Sequence, residues 1–330
     1  MNEYSYSLSL LSPPPPTVTA IFTMVQFSSQ LLFLVLMIGL SKGFRWDDVR
    51  TAQVSQAINA VQISFSFYLG WRLLPKTPAS HSLPDGKHLL LQGFAQNWAT
   101  AKRIQRDYKK GLRWFLLALC FAEATANTFT VVAVVFLDGV LGFSGPEIGI
   151  FFAISLVGTI PGGLFARFVT SKTNPNTSWR LSMIVLFGLG IFGGLVLNRD
   201  NGSPLAYVWG AMVGITLGWF YPTERLFFSM IVPHGLEAEL SGLYVYCSQI
   251  IAWLPPLLFS VLVEAKVDMG FGVIAVSGFA IIAVALLSMA APWPEILADI
   301  ENEQEEGGEE LKWMGEEKNP QKMPKPEPVE

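Results

Sequence analysis

Glu123 is a carboxylate deep inside the apolar run from Leu116 to Leu137, with Asn127 one helical turn further on the same face and Thr130 close behind. A charge at the centre of a membrane costs about 3 kcal/mol or more unless a wet cavity or a partner relieves it. A carboxyl group held there is suited to taking up and giving off a proton, and Asn127 to bonding that carboxyl group or a polar solute. Gln56 and Asn59, with Gln62 and Ser66, share one broad face of a second segment, and Gln249 with Trp253 share a face of a third. Polar sets on several helices suit a hydrated central cavity, whereas single ones suit hydrogen bonds between packed helices. Residue types alone leave both readings open. Arg225, Glu237 and Glu239 fall between two apolar runs, where they can pair as a cytosolic gate that latches one conformation, or remain solvated loop charges.

Other chemistry is poorly provided for. Cys120 and Cys247 lie in apolar runs, and His81, His88 and His234 are scattered through polar connections without Cys or carboxylate at ligand spacing. The sequence therefore points to no metal and no cofactor. With no nucleophile, base and orienting acid at usable spacing, it points to no enzyme either. Gly188, Gly190 and Gly193 match a G-x-G-x-x-G phosphate-binding pattern, but they sit in the unbroken apolar stretch Met183 to Leu197 rather than at a strand-to-helix turn. Gly190 with Gly194, Gly158 with Gly162, and Gly210 with Gly214 and Gly218 have the small-xxx-small spacing that lets membrane helices touch.

The elements that must position these residues follow from composition. The chain is 51% hydrophobic and 15% charged, against roughly 25% charged in ordinary soluble domains. Crossing the hydrocarbon layer takes about 20 mostly apolar residues in a helix. Eight such runs are present, at about 17–40, 53–74, 115–137, 146–169, 180–197, 204–223, 240–263 and 269–291. The second is diluted by Gln53, Gln56, Asn59 and Gln62. Fifteen Lys and Arg fall in the connections on one side and five on the other, which places both termini in the cytosol. The chain thus divides into an irregular segment 1–16, two spans in 17–74, a basic cytosolic linker 75–114, six spans in 115–291 and an acidic tail 292–330.

In the linker, Arg103, Arg106 and Lys110 share a helical face near Trp98, so it can lie on the inner membrane surface as an amphipathic helix or remain a solvated linker. One basic loop is too little for nucleic-acid binding. The tail carries twelve of the 26 acidic residues and has too little apolar surface to fold, which predicts disorder.

The residues from Gly218 to Pro256 carry a family resemblance. Arg225 and Ser229 form an Arg-x-x-x-Ser pattern, Pro233, Gly235, Glu237 and Glu239 a Pro-x-Gly-x-Glu-x-Glu pattern, Gly242 follows, and Trp253 with Pro256 form Trp-x-x-Pro. This order and spacing resemble the vacuolar effluxer family, the autophagy-related protein 22-like branch of the major facilitator superfamily. Gly162, Ala166 and Arg167 resemble a degraded form of that superfamily's Gly-x-x-x-Asp-Arg loop. Ser241 stands where an aromatic residue is usual, and Glu123 where an Asp-Gly pair is expected slightly later.

The resemblance implies an all-α integral membrane protein, a major facilitator superfamily-like bundle whose residues 20–291 correspond to helices five to twelve of a twelve-helix carrier. An amino-terminal half would then be missing or supplied by a partner. It further implies alternating-access export of amino acids from a vacuole or lysosome-like compartment, linked to autophagy, with Glu123 coupling export to protons. The partners are then amino acids and membrane lipid. The rival reading is a non-transporting membrane anchor whose basic loop and acidic tail bind other proteins, or an inactive partial chain.

Overall fold

The computed structural model describes residues 15–73, 89–108, 110–197, 202–233 and 237–298. Among these residues there is no strand, and ten helices carry the fold. They are α1 (Pro15–Phe44), α2 (Asp48–Leu73), α3 (Leu89–Asp107), α4 (Leu112–Phe136), α5 (Gly145–Lys172), α6 (Pro175–Val196), α7 (Gly202–Ile231), α8 (Glu237–Ile250), α9 (Leu254–Glu264) and α10 (Met269–Ser288). A π-helical stretch, Leu137–Leu141, prolongs α4.

Short polar signals at the edges of the apolar runs set where helices begin. The Ser144 backbone N–H donates to Glu147 Oε2 at 2.7 Å at the start of α5. Asn174 Oδ1 accepts from the Thr177 N–H at 2.8 Å before α6, and Asp268 Oδ1 from the Gly270 N–H at 2.7 Å before α10. Each cap satisfies a backbone donor that the helix itself leaves open.

Among the described residues six stretches are long and apolar enough to cross a membrane: Thr17–Phe44, Leu112–Leu141, Gly145–Lys172, Pro175–Val196, Glu239–Glu264 and Met269–Ser288. The other two runs counted from the sequence are α2 and α7, and each is too polar for a different reason. The amide-rich first half of α2 dilutes it, and α2 is exposed along most of its length. In α7 the glycines, Thr and aromatic residues lower the hydropathy, but Ala206, Trp209, Val213, Phe220 and Phe227 are buried against neighbouring helices. A sheltered helix does not need an apolar exterior. Elsewhere the outer surface is strongly apolar: Val25, Leu32, Val157, Leu164, Phe168 and Val261 are all exposed, a surface that water tolerates poorly and a bilayer covers.

Glycine brings α5 and α7 together. A Cβ on Gly158 would lie 2.7 Å from the Ala211 carbonyl oxygen, and one on Gly214 or Gly218 would overlap the carbonyl oxygens of Ser155 or Thr159. Gly190 and Gly194 meet Ser277 and Gly270 of α10 in the same way, whereas Gly188 faces open space. The G-x-G-x-x-G stretch is therefore packing surface.

Two expected elements differ in shape. The run 240–263 is not one helix, because α8 ends at Ile250 and α9 starts at Leu254 with Pro255 in its first turn. Proline lacks the N–H that would continue the hydrogen-bond ladder, so the axis breaks there. The tail is expected to be disordered from residue 292, yet residues 293–298 form a helical turn. Ile296 is buried against Gly111, the Trp293 ring lies 5.4 Å from that of Phe227, and the Ala291 N–H donates to the Lys110 carbonyl at 2.9 Å. The rest of the tail and residues 1–14 lie outside the described residues.

The basic linker contains α3, with Thr100 and Ile104 buried and Lys102, Arg103 and Arg106 exposed. Its apolar side lies on α4 and α8.

Candidate functional site

A cavity of about 440 Å³ lies between α1, α4, α5, α7 and α8. It runs between two apolar clusters, one around Phe115, Trp179 and Phe227 and the other around Phe136, Phe151 and Trp209. The close glycine crossing of α5 and α7 makes one wall, where Ser155, Thr159 and Gly214 all line the space. Opposite polar groups come from α1 (Gln26 and Gln30), α4 (Glu123, Asn127 and Thr130) and α8 (Tyr244, Ser248 and Gln249).

The charged groups meet at one end. Asn127 Nδ2 donates to Glu123 Oε2 at 3.1 Å, the i to i+4 relation foreseen from the sequence. Glu224 of α7 is fully buried, and its carboxyl group is in hydrogen-bond contact with that of Glu123. Tyr244 Oη donates to Glu224 Oε1, while Glu224 Oε2 has no donor among the described groups. Arg225, the next residue, turns the other way. Its Nη1 donates to Gln26 Oε1 at 2.8 Å and its guanidinium lies 5.1 Å above the centre of the Phe22 ring. Its hydrogen-bond and ring partners are thus a neutral amide and a phenyl ring, while its charge acts on the nearby Glu123 and Glu224 carboxyl groups and it lines the cavity.

Of the cavity residues picked from the sequence, Glu123, Asn127 and Gln249 line this space. Gln56 and Asn59 do not. They lie on α2, which is tied to α1 near its start by the 2.9 Å hydrogen bond between Ser41 and Thr51, and Gln56 is exposed while Asn59 is half-buried. Among the described residues α2 packs mainly on α1, at a few positions. The candidate gate is divided as well. Arg225 is not in a connection, because α7 continues through Pro222 to Ile231, held by the burial of Leu226, Phe227 and Ile231. Glu237 and Glu239 occupy the first turn of α8, where carboxylates favour the positive end of the helix dipole.

Sequence reasoning missed Glu224, Tyr221 and Tyr244, as well as Gln26 and Gln30. The signals were present: Glu224 and Arg225 follow Tyr221 at helical spacing across Pro222, and Gln26 and Gln30 are one turn apart. Ending the span at residue 223 hid Glu224.

No characterised protein and no solved structure matches the chain. A family profile described as Vacuole effluxer Atg22 like matches residues 17–291, a stretch that holds every residue of the cavity. With that match over most of its length, and with six helices among the described residues long and apolar enough to cross a membrane, the chain belongs to the Atg22-like vacuole effluxers, a family of multi-pass membrane transporters.

Proposed function

We propose that the protein exports amino acids from a vacuole or lysosome-like compartment by alternating access, returning the products of autophagic breakdown to the cytosol. The observation that carries this reading is the presence of opposite charge in one cavity, whose wall includes both Arg225 and the Glu123 carboxyl group. A zwitterion needs both, because a carboxylate or ammonium removed from water without a partner costs several kcal/mol. Arg225 takes the α-carboxylate as a charge-assisted fork. Glu123 and the amides of Asn127, Gln26, Gln30 and Gln249 receive the ammonium group and remaining polar atoms. A volume of about 440 Å³ falls in the range of sites for small molecules, about 300 to 1,000 Å³, and leaves room for a side chain.

Exchange of a radiolabelled amino-acid mixture across proteoliposomes tests the reading. Unlabelled amino acids should compete, and their methyl esters, which lack the carboxylate, should not. Equal competition by the esters would remove Arg225 from recognition, and no exchange above empty liposomes would reject amino acids as the cargo.

A further inference from the structure

Glu123 and Glu224 differ from a single buried acid in what surrounds them. Glu123 borders the cavity and is 7% exposed, whereas Glu224 is 0% exposed and lies behind the lining residues Glu123 and Tyr244, which it contacts. Five helices line the cavity beside them: α1 with Gln26, α4 with Asn127, α5 with Ser155 and Thr159, α7 with Tyr221 and Arg225, and α8 with Tyr244 and Ser248. The helix α10 packs on α4 and contributes no titratable side chain, and α6 packs on α7 with its Arg180 donating to the Leu287 carbonyl at 2.6 Å. Among the described residues the cation that acts on both carboxyl groups is therefore Arg225. Two carboxylates in contact repel strongly in a medium of low dielectric, and with both ionised the cluster would carry an uncompensated negative charge. One shared proton removes the repulsion and balances Arg225. It also gives Glu224 Oε2, which has no other donor, an O–H to accept.

We propose that Glu123 and Glu224 form one proton-binding site, fixed by Asn127 and Tyr244, which holds a single proton between the two carboxyl groups. The proposal rests on the export reading above and adds a proton to the same cavity. The proton comes from cavity water to the Glu123 carboxylate, which then donates an O–H bond to Glu224. Tyr244 keeps its own proton and donates to the other Glu224 oxygen. With one proton the pair keeps a single negative charge, which balances Arg225 in the empty cavity and the solute ammonium once the solute carboxylate occupies Arg225.

Infrared difference spectroscopy of the purified chain in nanodiscs reads the proton directly. On acidification one buried carboxylic C=O band should rise, be absent in Glu123→Gln and be lost or displaced in Glu224→Gln. Tyr244→Phe, which removes a hydrogen bond and no acid, should shift the band and keep its area, and serves if Glu224→Gln does not fold. A band that neither Glu224→Gln nor Tyr244→Phe alters would show Glu123 titrating alone and overturn the pair. The acidification arm contains no solute, so its failure rejects the pair whatever the cargo. Failure of amino-acid exchange in proteoliposomes with the acid band intact rejects the export reading instead.

Discussion

Glu224 and Arg225 are neighbours in sequence and opposites in surroundings. Successive residues on a helix point about 100° apart, so one is sealed against Tyr244 while the other faces the cavity. Arg225→Gln keeps a donor for Gln26 and loses the cation. Charge-assisted bonds contribute about 1.5 to 3 kcal/mol, so amino-acid affinity should fall by roughly tenfold to a hundredfold while thermal unfolding in detergent stays near the wild type. An equal loss of folding would instead make Arg225 structural. Tyr244→Phe leaves Glu224 Oε1 buried without its described donor and should cost on the order of 1 kcal/mol, seen as a lower unfolding midpoint. Glu224→Gln retains an oxygen for Tyr244 and removes the like charge beside Glu123, so it should not destabilise the fold. The contrast in sign between these two variants separates charge repulsion from hydrogen bonding.

One wall of the cavity is built by the close approach of two helices. The α5/α7 crossing depends on glycine at the places where a Cβ would strike backbone, which cannot move aside as a side-chain end can. Gly218→Ala should lower stability by about 1 to 3 kcal/mol, the usual cost of overpacking. Gly188→Ala lies on an exposed helix face with nothing within 4 Å. It should be neutral or stabilise by up to about 1 kcal/mol, since alanine is the better helix former. Thermal unfolding of the two variants side by side checks the assignment, and similar destabilisation in both would mean that the crossing does not limit stability. The break between α8 and α9 acts at the same scale. Ser248 and Gln249 line the cavity immediately before it, so Pro255 sets the direction in which that polar end of α8 is presented.

At the scale of the molecule, one end of the bundle gathers the basic and acidic segments. The Ala291 to Lys110 hydrogen bond and the seating of Ile296 on Gly111 bring the root of the tail to the start of α4. The same end follows from the distribution of Lys and Arg, which favours the cytosol. Tags inserted near Ser82 and after Glu330 should therefore both be cleaved by protease added outside sealed, right-side-out vacuoles. Cleavage of one alone would mean an odd number of crossings between them and would overturn the topology. Placement of the cavity within the bundle does not depend on that outcome.

What the sequence determined by itself is the class of the protein and one corner of its cavity. Apolar length marked the membrane helices, glycine spacing marked the crossings, and the isolated position of Glu123 with Asn127 at i+4 marked a polar site, because all three signals are local and periodic. The Arg225 to Pro256 motif likewise carried the family. Tertiary structure decided which polar faces converge. The amides of α2 look as favourable in sequence as those of α1, yet only Gln26 and Gln30 meet the cavity, since α1 packs along α5 and α7 while α2 stands at the edge. Glu224 was concealed by Pro222 and by its charged neighbour, a pattern that resembles a loop. The burial of Leu226, Phe227 and Ile231 against helices distant in sequence carries α7 past that point and brings a second carboxyl group to the first.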